Sequence, residues 1–585
     1  MINFILPRFL RLSKGGLVAM LLWLATTVSF AQAPAWQAAI AAGQTGGNAP
    51  AMSATAADAA GNVYLTGSFQ GTVVFGSLTL TSAGSEDVFV VKWSSAARSF
   101  VWALRAGGPG QDIANAIAVR GTSIYIAGNF RGATAMFGNS VLTNVTSNNL
   151  DPDIFVAKLT DTGPMAYFDW AKRAGGTESD YAHALAVNGS SVYVVGEFYS
   201  QAASFGATVL SNVSNNNFGG DVYVAKLLDQ GTSTGFVWAQ QAGGLDYDYG
   251  QGVVADGSSV YVTGYFYSSA ADFGTTTLTN ANTASNNTTD AYVAKLTDAG
   301  STASFQWAQR AGGLQNEYAN AIGLKGPNVY VTGTFESSTA SFGSYVLANA
   351  AGTGTSDIFV AKVVDTGTTA GFAWAQQAGG VGNDYANGIG ISGTSIYVSG
   401  GFKDPISFPA LTTLTSAGLY DVFLAKVIDS GSSARFDWVQ QGGSTGDDSA
   451  KGVAVGGKQL HLIGAGPIPL VFGSRSIQGI GRVGFLASLT DNTILATAPA
   501  WLEETTVYPN PGHDQLAVMV PGVATESQVA MQLTDLLGRV VYRTSAALPS
   551  SGLRHYLDVS TLKPGFYSLR IQVGTSYTVR KLTID

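Results

Sequence analysis

The chain has 585 residues, a formal net charge of −8 and only 12% charged residues. That length argues for several domains or one large repeat array, and the negative balance leaves no basic footprint for nucleic acid. Cysteine is absent, which excludes disulfides, thiolate metal sites and cysteine nucleophiles, while 73 glycines against 17 prolines and a 46% hydrophobic fraction fit a large core linked by tight turns.

The first segment, residues 1–33, reads as a secretory signal peptide. Arg8, Arg11 and Lys14 form a basic start, "LVAMLLWLATTVSF" is a short apolar run, and "AQA" supplies small residues for cleavage. The apolar run is short for a full membrane span, and no later stretch looks transmembrane. After removal of the signal no stable membrane segment is expected.

Residues 34–490 are repetitive. A Trp-centred segment recurs at Trp36, Trp102, Trp170, Trp238, Trp307, Trp374 and Trp438, at intervals of 64–69 residues. Between these anchors each unit carries a small-residue stretch ("DIANAIAV", 112–119), a turn, and a strand-like segment ("IYIAGNF", with Tyr125 and Phe130). A longer loop containing Phe–Gly follows, and then "DIFVAK" (153–158). The apolar runs are short, β-branched or aromatic, and bounded by Gly, Asn, Asp and Ser, which predicts four strands (a to d) per unit and no helix. Seven units of four strands predict a seven-bladed β-propeller, whose radial packing buries both faces of each sheet. The last unit lacks a Trp strand, and the chain starts with "AWQAAIAAG". Residues 35–43 are therefore expected to supply strand d of the last blade.

Residues 491–504 read as a linker. Over 505–585, "VYPNPGHDQLAVMV", "VAMQLTDLLGRVVYR", "LRHYLDVSTLKPGFYSLRIQVG" and "YTVRKLTID" alternate apolar residues with turn signals, the pattern of a small Ig-like β-sandwich. The expected fold class is thus all-β throughout.

Two resemblances rest on these segments. The pattern Gly379–Gly380, Asp384–Ala386 and Ile396–Phe402, repeated along about 450 residues, resembles the seven-bladed β-propeller repeat family of bacterial exported proteins. That resemblance implies an architecture and no particular reaction. The tail is similar to the type A C-terminal sorting domain of the type IX secretion system. The residues carrying this likeness are Tyr508, Pro509, Asn510, Pro511, Asp535 to Gly538, Leu562, Gly565 and Tyr567, together with the terminal "VRKLTID". It implies a Bacteroidetes-type bacterium, contact with the type IX machinery through 505–585, and release outside the cell or anchoring on the outer-membrane surface.

No catalytic constellation is visible. Of the four histidines, His461 occupies the slot of Tyr64, Tyr125, Tyr193, Tyr261, Tyr330 and Tyr397, and His513 and His555 lie in the tail. His183 shares its slot with Asn115, Gln251, Asn320, Asn387 and Lys451, a polar and variable set expected to rim the mouth of the propeller. Asp112, Asp180, Asp248, Glu317, Asp384 and Asp448 recur in one slot, so they read as structural acceptors of backbone N–H groups at the turn into strand a. The recurring Lys92, Lys158, Lys226, Lys295, Lys362 and Lys426 read as structural too. No cofactor is expected; calcium at "DPD" (151–153) or "DYD" (246–248) is the alternative, without full ligand spacing.

Binding is expected on the face of the long, Asn/Ser/Thr-rich b-to-c loops. The slot just after strand b differs in every unit: Gln70, Arg131, Tyr199, Tyr267, Glu336 and Lys403. Tyr199 and Tyr267 are placed to stack on a sugar or pack on a protein. The sequence therefore predicts a secreted or surface binding or adhesion protein with a glycan or protein ligand. A structural protein without a ligand and a polysaccharide hydrolase or lyase are the alternatives.

Overall fold

A computed structural model describes residues 33–585 apart from 46–48, 147–149, 215–218, 284–286, 495–504, 522–527, 536–537, 550–551 and 574–575. The signal peptide, residues 1–33, thus falls almost wholly outside the described residues.

The described chain is all-β. In the second repeat unit strand a is Asp112–Arg120, b Ser123–Phe130, c Asp153–Asp161 and d Ala166–Ala174, paired antiparallel in that order. Val, Ile, Tyr and Phe alternate through b and c, and both faces of these two strands are buried. The same a–b–c–d order recurs in the units that start at Ala51, Asp180, Asp248, Glu317 and Asp384. In the seventh unit Ser449–Gly456, Gln459–Pro467 and Arg482–Thr490 are a, b and c, and the fourth strand is Trp36–Ala41, paired with Arg482–Thr490. Each sheet is open.

The register of that last pair corrects the sequence reading. In the second unit Lys158 faces Trp170 and Leu159 faces Phe168. In the seventh, Ser488 faces Ala38 and Leu489 faces Trp36. Trp36 thus fills the Phe slot, edge-on to Phe472 with ring centroids 5.2 Å apart, and Ala38 fills the Trp slot. Counting tryptophans placed the strand correctly and its residues two positions out.

The b-to-c segments also depart from the expected loops. Each contains a short hairpin, such as Thr134–Phe137 with Ser140–Thr143, and six of the seven carry Phe–Gly at its turn; the sixth unit has Phe408–Pro409 instead. The Phe ring packs back on its own unit, as Phe137 does on Phe155 and Phe168. The hairpin backbone bonds to the end of the d strand of the preceding unit, as in Gly107 to Met136, Ala311 to Phe342 and Gly443 to Val471. Gln44 to Val74 makes the same link from the seventh unit to the first.

Cores lie between consecutive sheets. One joins Val156 and Trp170 to Val194 and Phe198; another joins Ile463 and Leu486 of the last unit to Val63 and Leu65 of the first. Strand a of each unit contacts strand a of the next, and Ser449–Gly456 contacts Ala51–Ala57. Residues 491–494 belong to this array rather than to a linker: Ile494 is buried in its core and Asp491 receives Lys426.

The tail is a separate two-sheet sandwich. Thr506–Tyr508, Gln515–Val520 and Leu553–Asp558 form one sheet; Gln528–Asp535, Val540–Ala547, Gly565–Val573 and Ser576–Ile584 form the other. Leu516, Val518 and Leu557 of the first pack against Leu533, Leu569 and Ile571 of the second. Within the Tyr508–Pro511 segment, the Asn510 amide donates to the Lys581 carbonyl at 3.1 Å and its Oδ1 accepts from Thr583 N at 2.9 Å, tying the segment to the last strand. Tyr567 donates to the Lys563 carbonyl, and Gly538 takes a positive φ of 77° in the turn after Asp535.

Candidate functional site

The site begins with one glycine per unit. Gly67, Gly128, Gly196, Gly264, Gly333, Gly400 and Gly464 sit on strand b, and a Cβ on any of them would overlap a carbonyl oxygen of strand a. Strand a bulges at that point: pairing skips one residue after Met52, Ala114, Ala182, Gly250, Ala319, Ala386 and Ala450. A bulge re-aims its extra side chain. The skipped residues are Ser53, Asn115, His183, Gln251, Asn320, Asn387 and Lys451, and all seven line one cavity of about 720 Å³. Six of them are the set expected from the sequence. Ser53 was missed because "PAMSATAA" lacks the acidic residue that stands three positions before the slot in the other six units.

Three ring residues also stitch neighbouring units. Asn115, Asn320 and Asn387 donate to the carbonyls of Ala182, Ala386 and Ala450 at 2.9–3.0 Å. His183 differs from these. Its Nε2 lies 2.8–2.9 Å from the carboxylate of buried Glu197 on strand b, and its ring stacks on Tyr181 with centroids 6.4 Å apart. Burial favours the neutral imidazole, but the charge and hydrogen bond of Glu197 outweigh it and raise the His183 pKa.

Tyr181 opens a cluster of half-buried tyrosines across the third, fourth and fifth units. Tyr199 lies 6.2 Å from Tyr181 and 6.0 Å from Tyr247, and its hydroxyl bonds that of Tyr249 at 3.2 Å. Tyr249 stacks on Tyr265 at 4.8 Å, Tyr267 contacts Tyr247 and Tyr249, and Tyr265 meets Tyr318 edge-on at 4.8 Å. Burial and the Glu197 charge raise the Tyr199 pKa, so its hydroxyl stays protonated and able to donate. Exposed Leu245 and Leu314 occupy the turns that lead into Tyr247 and Tyr318. Tyr181, Tyr249 and Tyr318 stand two residues before the bulged slot, a regularity in the sequence that identifies them.

None of the post-b residues, Tyr199 and Tyr267 included, lines the cavity itself; the tyrosine cluster adjoins it through Tyr181, which stacks on His183. Glu336 accepts from Asn316 at 2.8 Å, Arg131 has a buried Nε without a partner, and Lys403 is half-buried. Gln70 lines a separate hollow of about 330 Å³ with Glu86 and Gln111.

The recurring lysines have a definite partner. Lys92 Nζ, Tyr64 OH and Trp102 Nε1 of the first unit converge on the Asp161 carboxylate of the second, at 2.6, 2.7 and 3.1 Å. Asp229, Asp298, Asp365 and Asp429 receive the same three groups from their preceding units, and Asp491 receives Lys426 and Tyr397. Burial alone would raise the pKa of Asp161; the bonds from Lys92 and Tyr64 win, and it is lowered. Between the seventh unit and the first every member changes. The four slots there hold His461, Ser488, Ala38 and Ser95. His461 bonds Ser488 at 2.8 Å, and burial pushes its pKa down to about 4, so it is neutral.

The strand-a carboxylates accept backbone N–H groups as expected: Gly108 to Asp112 at 2.6 Å, Gly176 to Asp180 at 2.7 Å and Gly244 to Asp248 at 2.6 Å. Each shares a buried pocket with the carboxylate that opens strand c. Asp112 and Asp87 both flank Gly107 so closely that a Cβ there would strike both. Within "DPD", Asp153 is held by Val145 N and Arg173, and Asp248 of "DYD" by Gly244 N. Among the described residues no group of three or more His, Asp or Glu could hold a metal ion.

Comparison with known proteins assigns the tail. Residues 506–585 match the family model of the secretion system C-terminal sorting domain. This is a type IX export signal. The protein is therefore secreted or displayed on the outer-membrane cell surface, and the tail engages the type IX secretion machinery. Among the described residues no helix is long and apolar enough to cross a membrane. No curated protein matches the chain.

Proposed function

We propose that the seven units are the blades of a β-propeller spanning residues 34–494, closed by the N-terminal strand, and that this propeller is an extracellular carbohydrate-binding module. The contacts between successive a strands, the core shared by the last and first units, and the pairing of Trp36–Ala41 with Arg482–Thr490 support the architecture. The observation that carries the function is the tyrosine cluster beside a cavity rimmed by amides. Tyrosine rings offer apolar faces for sugar C–H groups, and their hydroxyls, with the Asn and Gln amides, offer both donors and acceptors to sugar hydroxyls. A glycan array probed with the purified protein tests this. Binding lost on Tyr199→Ala with Tyr267→Ala, with the β-rich fold retained by circular dichroism, is the expected result. Full binding by that double variant refutes the reading.

One observation favours a second reading, cleavage of the bound polymer. His183 is the only histidine in the ring and is oriented by a buried carboxylate, an arrangement suited to a general base. Turnover of a polysaccharide panel that disappears in His183→Ala, with binding retained, would establish it.

A further inference from the structure

The charged groups around the cavity narrow the ligand further. The chain carries a net charge of −8, yet no carboxylate is among the cavity-lining residues. The ionisable side chains that line it are Lys451, Arg482 and His183. Lys451 is the bulged residue of the seventh unit, and so is aimed by backbone geometry; it is exposed, and among the described residues no hydrogen bond or ion pair engages its ammonium group. Arg482, at the start of strand c of the same unit, is fixed by donating to the backbone carbonyls of Asp447 and Ala465, which leave its charge unneutralised by direct contact. Everywhere else along the array the repeated lysines are consumed by the Asp161-type pairs. Lys451 is a cation in a slot where other units place Ser, Asn, Gln or His, which marks it as unneeded for the framework.

We propose that the cavity is an anion subsite, and that the carbohydrate bound on the tyrosine face is acidic, carrying carboxylate or sulfate groups that Lys451 and Arg482 receive. The inference rests on the carbohydrate-binding reading above. A saccharide rather than an acidic peptide is favoured because the rest of the rim offers Asn and Gln amides, with the tyrosine cluster beside it at Tyr181 and His183, in place of an extended strand edge to pair with. Lysine acts here as a point charge that accepts either anion, so the two sources of negative charge share one chemistry.

The test is titration of the purified protein with a neutral polysaccharide, a polyuronate, a sulfated polysaccharide and polyglutamate, at low and high salt. The expected result is tightest binding to the polyuronate or the sulfated polymer, weakened about tenfold or more by Lys451→Gln, with the salt dependence flattened in that variant. Lys451 is exposed and unbonded, so an unchanged denaturation midpoint is expected alongside. The uronate and sulfate arms tell which group is bound. Binding of acidic and neutral polysaccharides alike, untouched by Lys451→Gln but lost with Tyr199→Ala and Tyr267→Ala, overturns the anion subsite and leaves the carbohydrate reading standing. Failure of every polysaccharide overturns both. Polyglutamate bound as tightly as the acidic polysaccharides, with the same dependence on Lys451, overturns the saccharide assignment.

Discussion

Replacing Asp298 by Asn isolates the contribution of one inter-unit carboxylate. In the native chain its two oxygens accept from Lys226 Nζ at 2.6 Å, Tyr193 OH at 2.7 Å, Trp238 Nε1 at 3.1 Å and Gly300 N at 2.9 Å. The Lys226 and Asp298 side chains are 7% and 6% exposed. Asn keeps the shape, but it removes the charge and turns one acceptor into a donor. Lys226 is left buried without a counter-charge, facing only neutral acceptors such as the Gly300 carbonyl, 3.1 Å away. Breaking one half of a buried pair costs about 3–5 kcal/mol, most of it from the stranded charge. At about 1.4 kcal/mol per tenfold, local opening should rise between a hundred- and a few-thousand-fold. Amide hydrogen exchange is the suitable assay, because long arrays do not unfold as one two-state unit. The faster exchange should be confined to Asp290–Asp298, Thr234–Ala242 and their neighbours. Ser95→Ala is the matched control. Ser95 fills the same slot at the seam between the seventh and first units, and its hydroxyl is buried without a partner, so its removal should be nearly neutral. Equal effects from the two substitutions would refute the argument that the Asp clusters hold the sheets together.

Three further outcomes are expected. Gly264→Ala forces a methyl group into the Tyr249 carbonyl, so it should cost about 2–4 kcal/mol and disturb the adjacent tyrosines, whereas Gly235→Ala, with nothing within 4 Å, should be neutral; paired denaturation curves check this. Deleting residues 34–46 should lower the melting temperature sharply, because it removes buried Trp36, its bond to the Gln441 carbonyl and the strand paired with Arg482–Thr490; an unchanged melting temperature would contradict the closure. Melting temperature should also fall as pH rises from about 5 to 8. Burial pushes Asp112 and Asp180 up to about 7 and, with the nearby Asp357 charge, Asp384 up to about 8. Each raised carboxyl stabilises the fold while protonated, and that contribution is lost as pH climbs through its folded value. The lowered Asp161 group acts oppositely and is lost towards acid pH. Asp384→Asn should flatten the alkaline decline, and a wild-type curve flat from pH 5 to 9 would refute the account.

Repetition is what made the framework readable. Seven copies of an a-to-d pattern report strand type, order and the polar ring, because each slot is sampled several times and accidents average out. What the repeats hid was register within the exceptional copy. Trp36 carries the right residue type for one slot and the right position for another, and only the pairing of Ala38 with Ser488 separates them. The hairpins between strands b and c were missed for a related reason. Their four-residue strands are too short to show alternation, and the backbone link that anchors each hairpin lies in the previous unit, about 30 residues back in the chain (Gly107 to Met136). Of the tyrosine cluster, Tyr199 and Tyr267 were legible from their slot after strand b, whereas Tyr181, Tyr247, Tyr249, Tyr265 and Tyr318 were not singled out, because their convergence is a property of three adjacent units rather than of the repeat.

The seam gathers several of these departures into one place. His461, Ser488, Ala38 and Ser95 each read alone as a lapse from the pattern, yet they replace a Tyr, a Lys, a Trp and an Asp that meet at a single point in other units. Had one partner changed alone, a buried Lys or Asp would have been stranded, at a cost of several kcal/mol. Changing all of them leaves a neutral contact, with His461 held uncharged by burial. The interface that joins the two ends of the chain therefore relies on the Trp36–Ala41 pairing, the Gln44–Val74 link and apolar packing, without the buried ion pair that ties together consecutive units. Local opening should accordingly be easiest there. In hydrogen exchange the strand Trp36–Ala41 should lose protection before any other d strand, and uniform protection across all seven would show that the buried ion pairs add little to the cohesion of the array.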